Sequence, residues 1–338
     1  MTAPLLQIRD LSVSFATPGH TVEAVRHISL DIDEGETVAL VGESGSGKSV
    51  TCRTIVGLMP PGISHVSGEV IYHPHGDASI VNARQAELQS LRGSQLAMIF
   101  QDPMTALNPV LTVGDQVIEA VQAHAKISAG QARSRAVGLL RRVGIPAPEQ
   151  RMRDYPFQFS GGMLQRALIA IALASAPRLL LADEPTTSLD VIIQDQILSL
   201  LLDLQQDTGM SVILVSHDLA VISEVCDRIL VMYAGQVVEE GPAADIITAP
   251  RHPYTRALLD AVPQRERRGQ LRSISGSPPS LIDVPGGCRF APRCRLAVEE
   301  CLSWETELIE IGGRGRLSRC LRHDEVEGSP QWQASDSA

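Results

Sequence analysis

Hydrophobic and polar positions alternate near the start of the chain. Leu11, Val13 and Phe15 are separated by Ser12 and Ser14, and Ile28, Leu30 and Ile32 by Ser29 and Asp31. A period of two marks strands with one buried and one solvated face. A turn at Glu34-Gly35 leads into Thr37-Val38-Ala39-Leu40-Val41, an unbroken apolar run suited to a strand covered on both faces. Similar runs return at residues 96–100, 179–182 and 211–215, and a long helix-patterned stretch, 113–175, lies between the first two of these. Strands alternating with helices predict an α/β fold with a parallel sheet. A hairpin is expected over 228–238, turning at Ala234-Gly235.

After Gly241 the texture changes. Pro242, Pro250, Pro253, Pro263, Pro278, Pro279 and Pro285 interrupt the chain, and Gly286-Gly287 opens a cysteine-bearing segment. The division that follows is a discontinuous core over 1–102 and 166–249, a helical insertion at 103–165, a small extension at 250–324 and a disordered tail at 325–338.

Composition narrows the function classes. The 338 residues leave room for a full-sized core and one smaller appended unit. Only 3% are aromatic, which disfavours a carbohydrate or single-stranded nucleic-acid surface built on stacking rings. The net charge is -10, and the short basic run Arg265, Arg267, Arg268 is diluted by Glu266, so it reads as a solvated linker. No nucleic-acid partner is expected on that balance. The apolar stretch at 167–182 is broken by Pro177 and Arg178 and falls short of a membrane span, and residues 1–15 lack the pattern of a signal peptide. A cytoplasmic location is therefore expected, with the six cysteines reduced.

Candidate chemistry begins at Gly42-Glu43-Ser44-Gly45-Ser46-Gly47-Lys48-Ser49, which satisfies G-x-x-x-x-G-K-[ST]. Its glycines let backbone amides wrap a phosphate chain, Lys48 supplies a charge for the β- and γ-phosphates, and Ser49 can ligate Mg²⁺. An apolar strand precedes it and a helix is expected after it, over 50–58, with its N-terminal dipole favouring anions. Leu179-Leu180-Leu181-Ala182-Asp183-Glu184 carries two carboxylates out at the end of a strand, Asp183 suited to Mg²⁺ and Glu184 to orienting or deprotonating an attacking water. Phe159-Ser160-Gly161-Gly162-Met163-Leu164-Gln165-Arg166 places Ser160 and two glycines at a helix start, a second anion-binding terminus. Taken alone, that segment is equally an ordinary Ser-capped helix.

The ordered set resembles the ATP-binding subunit of an ABC transporter over about residues 5 to 245. It comprises the loop Gly42 to Ser49, Gln101 after a strand, the signature Ser160 to Gln165, Asp183-Glu184, Ser188-Leu189-Asp190, and His217 after another strand. The resemblance implies a P-loop NTPase core of RecA type, with an antiparallel β subdomain and the inserted helical signature subdomain. It further implies two such chains paired head to tail, each ATP held between one chain's phosphate loop and the other's signature. Gly42, Ser44, Gly45, Ser46, Gly47, Lys48, Ser49 and Val50 would then hold ATP, with Phe15 stacking on adenine. Ser160, Gly161, Gly162, Gln165 and Asp190 would serve the partner's ATP. Gln101 would sense Mg²⁺ and the attacking water, joining Ser49 and Asp183 at the metal, and His217 would contact the γ-phosphate beside the water of Glu184. The signature usually begins with Leu where this chain has Phe159, which implies a packing adjustment.

Two further segments resemble the branch that imports oligopeptides, dipeptides and nickel. They are Gln101-Asp102-Pro103-Met104-Thr105-Ala106-Leu107-Asn108-Pro109 and Arg251-His252-Pro253-Tyr254-Thr255, the latter followed by Gly276-Ser277-Pro278-Pro279 and Cys288-Arg289-Phe290-Ala291-Pro292-Arg293-Cys294. Cys288, Cys294, Cys301 and Cys320 are spaced C-x5-C-x6-C-x18-C, which by itself leaves zinc, iron–sulfur and free thiols open. The resemblance implies a [4Fe-4S] cluster on those four. Cys52 and Cys226 read as core fillers.

The expected function is an ATPase energising a peptide importer. Its expected partners are a second, homologous ATP-binding subunit, two transmembrane permeases and, indirectly, an extracytoplasmic binding protein, and its own expected place is peripheral, at the cytoplasmic face of the cell (inner) membrane. Import of nickel or glutathione is the alternative within the family. A soluble ATPase acting on nucleic acid or ribosomes, and an iron–sulfur redox sensor, are the alternatives outside it.

Overall fold

The computed structural model describes residues 3–76, 79–187, 189–222, 225–261, 274–282, 284, 286–303, 307–313 and 315–326. Ser188, the basic run Arg265, Arg267, Arg268, the prolines Pro263 and Pro285, and residues 327–338 of the expected tail lie outside these. The chain divides into two compact units: Met1–Leu5, Ile32–Glu36 and Asn82–Val215 form the first, and Leu6–Asp31, Thr37–Val81 and Ser216–Ala338 the second.

In the first unit the strands Leu96–Ile99, Leu179–Asp183 and Ser211–Ser216 run parallel, with Leu181 in register with Met98 on one side and Ile213 on the other. Leu179 to Ala182 have no exposed surface, as an apolar run covered on both faces requires. The 113–175 stretch is helical as its periodicity predicts, in the helices Val113–Ala123, Ala129–Arg142 and Gly161–Ala172, which pack on one another. Their starts are written locally. Thr112 accepts from Asp115 N, and Ser128 and Gln131 form a capping box. The long helix Val191–Thr208 starts at Asp190 and stops at Gly209, which takes the left-handed conformation at φ 66°.

The second unit carries an antiparallel sheet in the order His20–Ile32, Leu6–Thr17, Ser64–Tyr72. Ile28, Leu30 and Ile32 are buried, as the alternation predicts. In the neighbouring strand Leu6 and Ile8 face inward, a bulge between Arg9 and Ser12 shifts the phase by one residue, and Leu11 and Val13 then take over the inner face. Strand Thr37–Val41 is wholly buried and pairs in parallel with Arg228–Tyr233. The hairpin to Gln236–Pro242 turns at Ala234 and Gly235, both at positive φ, the combination that matches the twist of two-residue hairpins. The short strands Leu317–Ser318 and Ile309–Glu310 extend from Gln236–Pro242, so the C-terminal extension is stitched to the hairpin by backbone pairing. A 3-10 turn at His323–Glu325 follows.

Candidate nucleotide site

Strand Thr37–Val41 delivers the chain into the glycine loop, and helix Lys48–Ile55 leaves it. The helix starts two residues earlier than its apolar pattern suggests, because Gly47 at φ 104° serves as its N-cap and Lys48 and Ser49 become its first residues. A Cβ on Gly47 would stand 2.5 Å from the Ala24 carbonyl oxygen, and one on Gly42 would overlap the Met232 carbonyl. Both glycines are required by close backbone approach. Lys48 is only 4% exposed, and its Nζ donates to the carbonyls of Gly42 at 2.7 Å and Glu43 at 3.0 Å. The buried ammonium thus closes the loop on itself. Ser44 and Gly45 lie at the exposed crest, Ser46 and Gly47 are buried, and Ser49 and Val50 are half-buried.

Not every loop amide is turned to the cradle. Glu43 N–H donates outward to the Tyr254 hydroxyl at 2.8 Å, and Ser46 N–H donates to the Glu43 carbonyl at 3.2 Å. The Glu43 carboxylate takes a two-pronged ion pair from Arg293, at 2.6 Å from Nη1 and 3.0 Å from Nη2. Tyr233, Tyr254 and Phe290 gather behind the loop with ring centroids 4.6 to 5.3 Å apart. Burial pushes both tyrosine hydroxyls above their usual range, so they stay protonated. Arg289 adds a bond to the Ala234 carbonyl and an ion pair to Glu23. Sequence reasoning missed Glu43, Tyr254 and Arg293. Tyr254 and Arg293 sit inside segments read only as branch markers, and nothing local links either to residue 43.

In the first unit, strand Leu179–Asp183 ends on Asp183, which is 1% exposed. Glu184 follows in the left-handed conformation at φ 47°, unusual for a residue with a Cβ and characteristic of functional corners. Its Oε2 accepts from Gln101 Nε2 at 3.0 Å and from Thr187 Oγ1 at 2.7 Å. The amide nitrogen of Gln101 is the engaged atom, which leaves its oxygen as an acceptor. Thr187 is a further residue that the motif reading did not name.

The signature segment also lies in the first unit. Ser160 is exposed and caps helix Gly161–Ala172, accepting from Met163 N at 3.3 Å. A Cβ on Gly162 would meet Ile193 Cγ2 at 2.8 Å, and one on Gly161 would meet Leu189 Cδ2 at 3.3 Å. Asp190 accepts from Ile193 N at 3.0 Å, capping its own helix. Gln165, expected at a partner's ATP, is buried at 1% exposure with its Nε2 unbonded among the described residues. Phe159 is buried, as an apolar replacement for Leu requires.

His217 is exposed immediately after strand Ser211–Ser216. Phe15 is half-exposed while Leu11 and Val13 of the same face are buried.

Cys288, Cys294, Cys301 and Cys320 line one pocket, with His252, Phe290, Leu296 and Leu321 among its walls. Backbone N–H groups of Leu296 and Arg322 each donate to a cysteine sulfur, Cys294 and Cys320, at 3.3 Å. Burial raises the thiol of Cys288 and pushes those of Cys294 and Cys320 up to about 12. Among the described residues no three His, Cys, Asp or Glu side chains converge on one metal ion. Cys52 is fully buried, as a core filler requires, whereas Cys226 is half-buried, with its thiol pushed up to about 12 by burial. Among the described residues no helix is long and apolar enough to cross a membrane.

The sequence profile of the ABC transporter family matches residues 25–187, and that of the oligopeptide/dipeptide transporter C-terminal region matches residues 238–301. The dipeptide transport ATP-binding protein DppD of Bacillus subtilis is 50% identical, over 88% of each chain. The oligopeptide transport ATP-binding protein OppD of the same organism is 46% identical, over 95% of this chain and 90% of that one. A solved dimeric structure of the ATP-binding cassette MJ0796, in a post-hydrolysis state with ADP and Pi, superposes with a TM-score of 0.63. It is 30% identical and covers 70% of this chain and 98% of its own.

Proposed function

The chain belongs to the ATP-binding subunits of ABC transporters, in the oligopeptide/dipeptide importer branch, and from that premise we propose how its residues divide the work. It is an ATPase with a P-loop NTPase α/β fold, and it energises a peptide importer. In the proposed assembly it pairs head to tail with a second, homologous ATP-binding subunit beneath two transmembrane permeases, peripheral to the cytoplasmic face of the membrane. An extracytoplasmic binding protein would choose the cargo.

The loop Gly42 to Ser49 is assigned to the triphosphate, with Lys48 as its charge, Val50 beside it and Phe15 against adenine. Its support is the close packing of Gly42 and Gly47 against the Met232 and Ala24 carbonyls, which leaves no room for a Cβ and fixes the course of the loop. Ser49, Gln101 and Asp183 are assigned to Mg²⁺, since each offers an oxygen of the kind that ion prefers. Glu184 is the base for the attacking water, held by Gln101 and Thr187, and His217 acts at the γ-phosphate. Ser160, Gly161 and Gly162 are assigned to the partner's ATP. Gln165 supports their helix from within, and Asp190 supports the neighbouring helix that Gly161 and Gly162 approach.

The single observation that carries the paired arrangement is the exposed Ser160-capped helix start. It is a second anion-binding terminus on a chain already provided with a phosphate loop. Sedimentation of Glu184→Gln with ATP, together with its homologous subunit, tests this. A nucleotide-dependent dimer that Ser160→Arg abolishes is expected. A dimer indifferent to Ser160→Arg would refute the arrangement.

The four late cysteines are assigned to a [4Fe-4S] cluster. Four sulfurs around one pocket, two of them accepting backbone N–H bonds, match the donor set of such a cluster. A cluster also tolerates sulfurs that do not meet at one point, because each thiolate holds a different iron. The group would supply positive charge that offsets the cost of ionising buried thiols.

A further inference from the structure

Glu43 presents a difficulty for a phosphate loop, because its carboxylate lies in the segment assigned to ATP, a polyanion. Unscreened, it would repel the ligand the loop receives. Arg293, from the distant C-terminal extension, removes that charge through the two-pronged pair at 2.6 and 3.0 Å. The guanidinium side chain is 5% exposed, and all three of its nitrogens are committed. Nε donates to the Ser275 carbonyl at 2.9 Å, Nη1 also reaches the Tyr233 hydroxyl at 3.3 Å, and Nη2 reaches the Gly276 carbonyl at 3.2 Å. It also lies over the rings of Tyr233 and Phe290, at 5.8 and 6.0 Å from their centroids. A cation so fully held has one position, and it fixes Glu43 in one position too.

Tyr254 grips the same residue by its backbone. Its ring is wholly buried, and its hydroxyl accepts from Glu43 N–H at 2.8 Å. A loop with glycines at 42, 45 and 47 has large backbone freedom, and freedom lost on binding weakens affinity. Two anchors on one residue remove part of that cost before the ligand arrives.

We propose that Arg293 and Tyr254 are positioning residues for ATP: the extension neutralises Glu43 and pins the phosphate loop from behind, raising the chain's affinity for nucleotide. The proposal rests on the reading of Gly42 to Ser49 as the phosphate cradle.

Equilibrium binding of a fluorescent ATP analogue with Mg²⁺ to the full chain tests it, with ATPase KM and kcat measured on the assembled subunits. Arg293→Ala should weaken binding about tenfold, KM rising more than kcat falls, because a buried charge-assisted pair is lost. Glu43→Gln added to Arg293→Ala should restore part of that loss, since the uncompensated carboxylate is then gone. A scaffold defect would not be rescued this way. Tyr254→Phe, which deletes one oxygen, should weaken binding about threefold and carries the test if Arg293→Ala does not fold. Parent affinity in Arg293→Ala or in Tyr254→Phe, or a double variant weaker than the single, overturns the inference. Lys48→Met separates the two failures: if it binds nucleotide like the parent, the cradle reading itself is wrong.

Discussion

The side-chain amide of Gln101 donates to the carboxylate of Glu184 at 3.0 Å, joining residues 83 positions apart at the ends of two strands of one parallel set. Thr187 donates to the same oxygen, so the carboxylate is oriented before any nucleotide arrives. Glu184→Gln should therefore retain ATP binding and lose roughly 10²- to 10⁴-fold in hydrolysis, the range of a general base. Gln101→Ala should cost less, about tenfold, because Thr187 still holds the base. Single-turnover hydrolysis beside equilibrium binding reads both, and a Glu184→Gln protein turning over normally would remove Glu184 from its role.

Gly47→Ala should be among the most damaging single-methyl changes in the chain. The added carbon meets the Ala24 carbonyl at 2.5 Å, and φ 104° is unfavourable for any residue with a Cβ. A loss of about 3 kcal/mol or more is expected, well above the usual substitution. Gly130→Ala, at a helical position with open space around it, is the control and should be neutral or slightly stabilising. Urea unfolding of the two proteins makes the comparison.

Stability should fall on the acid side through His252. This side chain is buried, and burial holds its pKa down at about 3, with the Arg319 charge adding to the effect. Its ring Nδ1 accepts from Tyr254 N at 3.1 Å, and the backbone N–H of His252 donates to the Glu239 carboxylate at 3.0 Å. Unfolded, it titrates near 6.5, so between about 6.5 and 3 the unfolded chain binds the extra proton. The stability it contributes is complete above that window and is lost as pH falls, by about 1.4 kcal/mol per unit at most. Glu239 has the opposite sign: burial raises its pKa, so it protonates first in the folded state and offsets part of the loss. His252→Asn keeps an acceptor for Tyr254 and should flatten the acid limb of urea midpoints. An unchanged limb would show that other groups set it.

Anaerobic purification should yield a brown protein with iron and acid-labile sulfide in equal amounts, and Cys294→Ser should lower both. Because burial pushes Cys294 and Cys320 up to about 12, the protein freed of iron should alkylate slowly at pH 8. A colourless, iron-free protein would end the assignment.

What could be read from the sequence was what neighbouring residues write together. The phosphate loop, the Asp183-Glu184 pair and the Ser160 cap each lie within a few positions, and their chemistry follows from local spacing. Strand Ser64–Tyr72 was not read, although His65, Ser67 and Glu69 alternate with Val66 and Val70, because Gly68 leaves a gap in its inner face and the strand is completed by pairing with Leu6–Thr17. Gln165 was read as part of a string, whereas it sits on a helix whose turn carries it inward beside Leu164, Leu168 and Ile169. The bond from Glu43 to Tyr254 spans 211 positions and no local signal announces it.

The ring cluster of Tyr233, Tyr254 and Phe290 has a consequence for anyone trimming or recombining such chains. Position 250 looks like a natural cut, since prolines and a change of texture mark it. Ending the protein there would strip two of three mutually packed rings and uncover the third behind the phosphate loop. The remnant would be a wounded ATPase and not a minimal one. Grafting an extension from a relative would succeed only if residues 43, 233, 254, 290 and 293 travel as a single inheritance.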